Sequence, residues 1–185
     1  MDLDKAIKER HSVRRFKSKP ADWRKIIEAI DLARLAPLAG NIPTVKFILV
    51  RDKEKINQLA QVSQQDFVAQ VDCVVVVCSD KALCLKSYGE RAEKYIKQQA
   101  GAAIENFLLK ITDLGLATCW VGAFPDEQVK RILNIPDGVD VEALFPIGYE
   151  LGKGEQRTKP PLDSCLYFDK WKNKYMEGIK KPEAL

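Results

Sequence analysis

"AAIENFLLKITDLGLATCWVGAF", residues 102–124, is the stretch that decides how this chain folds. Ala103, Ile104, Phe107, Leu108 and Ile111 recur at helical spacing, and the stripe extends upstream through Ala92, Tyr95, Ile96 and Ala100. The spacing predicts one long helix from about Arg91 to Leu114. Its apolar face is broad, and the small run Ala100 to Ala103 lets another helix pack closely. A buried central helix and a helix–helix dimer contact both suit it. Gly115 stops the helix, and "LATCWVGAF" follows as a strand or extended loop. Gly115, Ala117, Thr118, Gly122 and Ala123 there allow a backbone to lie close to a flat ligand, with Trp120 or Phe124 as a wall, or to pack in a tight core.

Working outward, Leu3, Ala6 and Ile7 predict a short amphipathic helix. A second follows Pro20, with Trp23, Ile26, Ile27 and Ile30 at helical spacing, and it stops near "APLAGN" (36–41). "VKFILV" (45–50) is a strand, Ile56, Leu59 and Ala60 mark a small helix, and "DCVVVVCSD" (72–80) is the strongest strand. "PDEQVKRILN" (125–134) carries acids at its head and bases near its tail, as a short helix should. "VDVEALFPIGYEL" (139–151) is a last core strand, and beyond Gly152 the chain turns polar, then aromatic and basic in "CLYFDKWKNKYM". Strands and helices without regular βαβ pacing predict an α+β, three-layer domain. No GxGxxG follows the first strand, which weighs against a dinucleotide fold.

The totals bound the function. At 185 residues, the chain is sized for one domain with a real core. A net charge of +4 is too mild for a general polyanion binder, so no nucleic-acid partner is expected. "MDLDKAIKERHS" has no signal-peptide h-region, and the run Val74 to Val77 is far too short to span a bilayer. A cytoplasmic protein without membrane attachment is expected. The five cysteines lack zinc-type spacing, and Cys73 and Cys78 suit small buried positions. With a single histidine and no HExxH, GxSxG or P-loop, no metal site is expected, and the hard chemistry falls to a bound cofactor.

"RHSVRRF" (10–16) is the second informative stretch. In extended backbone Arg10, Ser12 and Arg14 project to one side, where two guanidinium forks and a hydroxyl can surround a phosphate. The plainer reading is a basic helix end.

In sequence order, "RHSVRRF", "APLAGN", "AAIENFLLKITDLGLATCWVGAF" and "FPIGYELGKGEQRTKP" resemble the motifs of the FMN-dependent nitroreductase family, over nearly the full length. The resemblance implies a three-layer α+β sandwich, a central mixed or antiparallel sheet flanked by helices. It also implies a homodimer of domain-swapped type with FMN at the interface. One domain would cover 1–185, with about 153–185 an extension on the partner subunit. Arg10, His11, Ser12 and Arg14 match the flavin-binding opening: Arg10 and Ser12 toward phosphate and ribityl, Arg14 as the charge near flavin N1 and O2. Pro37, Leu38, Ala39 and Asn41 match the loop that reaches FMN from the other subunit. Val121, Gly122 and Ala123 match the segment against the isoalloxazine, and Arg157 with Lys159 the C-terminal phosphate contact. The implied activity is ping-pong hydride transfer from NADH or NADPH through FMN to a small acceptor, a nitroaromatic or quinone. Alternatives are a non-catalytic flavin-binding protein and a specialised flavin reaction on the same fold. The chain departs from the family after Asn41, where Pro43, Thr44 and Val45 replace glutamine-proline-tryptophan, and at Leu38, where serine is frequent. The short span between "VVVVCSD" and the central helix leaves little room for a substrate-covering insertion.

Overall fold

The structure, a computed structural model, describes residues 1–152, 154 and 158–176. It comprises two units, Met1–Gly154 and Glu155–Leu185.

The first unit is organised by strand β2, Val74–Asp80. Its alternate side chains enter two different cores. Val75 and Val77 join one with Ile26, Ala29, Ile104, Phe107 and Ile111. Val74, Val76 and Cys78 join the other with Ile56, Leu59, Val68 and Val129. A strand covered on both faces has no solvent side for polar residues, so its sequence is an unbroken valine run.

β2 pairs antiparallel with β1, Val45–Val50, and with β4, Val139–Gly148. The short β3, Ala117–Thr118, pairs antiparallel with β4, giving the order β1-β2-β4-β3. Helices α2 (Trp23–Ala33) and α5 (Ala92–Asp113) cover one face. Helices α3 (Lys53–Val62) and α6 (Asp126–Leu133) cover the other. The three-layer α+β class is as expected, with every strand pair antiparallel. Among the described residues, no helix is long and apolar enough to cross a membrane.

Local chemistry sets the boundaries. Asp2, Asp22 and Asp52 cap α1 (Leu3–Glu9), α2 and α3, each side chain accepting a backbone N–H of the first turn. α6 ends on Asn134 in the left-handed conformation, where asparagine is tolerated. A bulge interrupts β4: Val77 faces Ala143 while Cys78 faces Val141. Glu142 is the extra residue, and Lys97 Nζ donates to its carboxylate at 2.9 and 3.1 Å. The bulge sends Val141 and Ala143 into opposite cores, although they lie two apart in sequence.

The span between β2 and α5 is short, and the sequence pattern marks no helix in it. It folds as helix α4, Ala82–Tyr88, and a 3-10 turn, Gly89–Arg91. Beneath it lies a small cluster of Cys84, Ala92 and Ile96, with the rings of Tyr88 and Tyr95 edge to face at 5.1 Å.

In the second unit, Leu162–Ser164 form a 3-10 turn. The Tyr167 ring lies 4.8 Å from that of Trp171 and 4.1 Å from the Lys174 ammonium.

Candidate functional site

Arg10 ends α1, its N–H donating to the Ala6 carbonyl, and the chain then runs extended. Backbone bonds fix this opening segment to distant parts of the fold. The Val13 N–H donates to Thr118 O at 2.9 Å, Lys17 N–H to Tyr149 O at 2.8 Å and Leu151 N–H to Arg15 O at 2.9 Å. Phe16 N–H donates to the Gln70 side chain at 3.1 Å. Val13 and Phe16 are buried in the α3–α6 core, which holds the segment by its apolar side. Ser12 and Arg14 stand exposed, as alternation predicts, but Arg15 is exposed too and Phe16 is buried, so the alternation ends at Arg14.

Ser12 and Arg14 border the segment after α5. Burial raises the pKa of the Cys119 thiol, and the charge of Arg14 and a hydrogen bond with Ser12 pull it the other way. The Arg14 guanidinium lies 6.0 Å from the Phe67 ring centroid. No carboxylate among the described residues lies within 4 Å of it. Arg10 has Glu105 of α5 at 3.9 Å.

Val121 is buried and exchanges two backbone hydrogen bonds with Leu144, 3.1 and 2.9 Å long, which anchors the segment to β4. Gly122 and Ala123 stand exposed beyond this anchor, and their N–H groups meet no acceptor among the described residues. A methyl group added at Gly122 would touch only the Trp120 indole, at 3.6 Å. Backbone donors free of bulky side chains suit the polar edge of a planar ligand. Unpaired Arg14 suits a negative charge on that ligand. The residues present therefore fit a phosphorylated flavin.

The loop 37–41 is built separately. Gly40 and Asn41 take consecutive left-handed conformations, φ 56° and 57°. A Cβ on Gly40 would collide with the Tyr88 hydroxyl, so Tyr88 and the loop are packed as one piece. Leu38 and Ala39 are half-buried, whereas Pro37 and Asn41 are exposed. The loop's backbone bonds, Asn41 N–H to Leu38 O and Ile42 N–H to Ala39 O, are internal. Lys159 belongs to the second unit and is exposed; Arg157 lies outside the described residues.

His11 is held by the protein itself. Its Nδ1 lies 2.8 Å from the Glu9 carbonyl oxygen and its Nε2 2.9 Å from Glu150 Oε1. Sequence reading missed Glu150, which stands 139 positions from His11 with no spacing to announce it. The one available signal was the single histidine, set in a strand of arginines with no acid beside it.

Comparisons with known proteins agree with this architecture. The profile of the nitroreductase family matches residues 7–66 and 60–149. A protein of Methanothermobacter thermautotrophicus, provisionally named NADH dehydrogenase/NAD(P)H nitroreductase, is 29% identical over 176 residues, 92% of this chain and 88% of its own. A nitroreductase family protein from Clostridium novyi NT superposes with a TM-score of 0.74 at 28% identity, over 94% of this chain and 96% of that one. The NADPH:FMN oxidoreductase from Vibrio harveyi, solved with NAD+, shares the fold with a TM-score of 0.83 at 20% identity, over 92% and 78%. The sheet between two helical layers is the fold of these neighbours, and the relatives' names, NAD(P)H nitroreductase and NADH dehydrogenase among them, make the class an oxidoreductase. The chain belongs to the nitroreductase family.

Proposed function

We propose that this chain is an FMN-dependent oxidoreductase. It takes hydride from NADH or NADPH and delivers it to a small acceptor, a nitroaromatic, quinone or similar compound, in ping-pong order. The carrying observation is the exposed pair Ser12 and Arg14 against Cys119, in the same short segment that presents the exposed backbone of Gly122 and Ala123. The name of the Vibrio harveyi neighbour, an NADPH:FMN oxidoreductase, supports the reading.

Bound FMN supplies the two-electron chemistry, so few catalytic side chains are needed. Arg10 and Ser12 would hold the phosphate and ribityl side. Arg14 would supply a fixed positive charge for the negative charge that develops on the flavin on reduction. The exposed backbone of Gly122 and Ala123, anchored at Val121, would hold the ring. Pro37, Leu38, Ala39 and Asn41 reach the flavin of a partner subunit, so the working unit is a homodimer. Pro43 and Val45 offer no side-chain hydrogen bond, so the contact made by the family's glutamine is lost here or supplied elsewhere.

The test is spectroscopic. Purified protein should be yellow, bleach on anaerobic addition of NADH or NADPH, and recover its colour when a nitroaromatic or quinone follows. Colour without bleaching would favour a passive flavin holder. A colourless protein that takes up no added FMN would overturn the proposal.

A further inference from the structure

Among the described residues, two acceptors and no donor face the ring nitrogens of His11: the Glu9 carbonyl at Nδ1 and the Glu150 carboxylate at Nε2. Only the imidazolium, with hydrogens on both nitrogens, satisfies both contacts. Glu150 Oε1 also accepts the Gly154 N–H at 2.9 Å. A Cβ on Gly154 would lie 2.5 Å from Glu150 Oε1 and 3.1 Å from His11 Nε2, so the chain passes directly against the pair. His11 is flanked in sequence by Arg10 and Ser12, the two residues proposed as phosphate ligands.

Resting on that reading, we propose that His11 is a positioning residue of the cofactor site. As an imidazolium it ties the opening segment to Glu150 and cancels a carboxylate that would otherwise repel the flavin phosphate. The groups facing it are Glu150 from beyond β4, the Glu9 carbonyl and Arg10 from its own segment, and the Gly154 N–H; Glu105 of α5 faces Arg10 in turn. The Glu150 and Glu9 hydrogen bonds outweigh desolvation and Arg10 and raise the His11 pKa above its ordinary 6.5. A raised histidine pKa means the pair is intact below 6.5 and is lost as pH rises through the raised value. Above that value Glu150 carries an uncancelled charge, and a phosphate-bearing ligand must bind more weakly.

The chain has one histidine, so a single imidazole C2–H resonance in the untagged full-length protein reads His11 alone. Saturating FMN should raise the pKa of that resonance by about one unit. The FMN Kd should rise about tenfold from below that pKa to above it, the two numbers being one coupling. Riboflavin, which lacks the phosphate, should show neither effect. His11→Gln should bind FMN as weakly at neutral pH as the wild type does at high pH, with a flat profile. Adding Glu150→Gln to it should restore affinity, a rescue that a merely structural His11 would not give. FMN binding with a flat wild-type profile and no rescue would overturn the role of His11 alone. Absence of all flavin binding would overturn the proposed function with it.

Discussion

Arg10 and Arg14 stand four residues apart in one extended segment, yet their surroundings separate their tasks. Arg10 shares its charge with Glu105 at 3.9 Å, whereas Arg14, with no carboxylate within 4 Å among the described residues, has the face of Phe67 at 6.0 Å. A guanidinium without a counter-ion keeps its full field for a charge that appears during reaction. Arg14→Ala should therefore slow flavin reduction by about 100-fold or more in stopped-flow mixing while changing FMN affinity far less. Arg10→Ala should do the reverse. Equal effects of the two substitutions on rate and affinity would end this division of labour.

Among the elements, α5 carries the most structural weight. Phe107 is fully buried, with the rings of Phe47 and Phe145 at 6.3 and 5.6 Å, one from β1 and one from β4. Phe107→Ala leaves a cavity against two strands that cannot both collapse into it. It should cost about 3–5 kcal/mol, read as a lower urea midpoint with an unchanged slope. The apolar stripe that made α5 legible in sequence is the one that makes this contact. β2 was legible for the same reason, since burial on both faces forbids polar residues. α4 was not legible, because within Ala82–Tyr88 only Cys84 is buried and one position makes no stripe. The site divides similarly. Alternation along Arg10 to Arg14 placed Ser12 and Arg14 outward, but the partner of His11 is fixed by tertiary pairing, which leaves no trace in local spacing.

On the scale of the whole molecule, the exposed apolar surface matters most. A groove of about 450 Å³ is lined by Met1, Leu3, Ala6, Leu32, Leu35 and Leu109, with Asp2, Asn106, Lys110 and Asp113 as its polar part. Leu3 and Leu35 are 64% and 61% exposed, far more than large aliphatic side chains tolerate cheaply in contiguous patches. A second copy of the chain is the occupant that the proposed homodimer requires. Leu35→Asp should leave the single-chain fold intact, because the side chain already faces outward. It should shift sedimentation toward monomer and, with it, lower FMN retention, since the loop at Pro37 to Asn41 would lose its place over the partner's flavin. A sedimentation profile like that of the wild type would exclude this face from the interface.

The closure of the opening segment on β4 also sets a timetable. Arg10 to Phe16 emerge from the ribosome early, yet their partners, from Tyr149 to Leu151, are synthesised last within the first unit. His11 and Glu150 are 139 positions apart, so at about 5–20 residues per second the segment waits roughly 7–30 s for its counterpart. During that interval the opening segment lacks its contacts with Tyr149 to Leu151, and His11 lacks Glu150. A ribosome stalled before Glu150 therefore carries a sheet precursor whose first segment is not yet tied down.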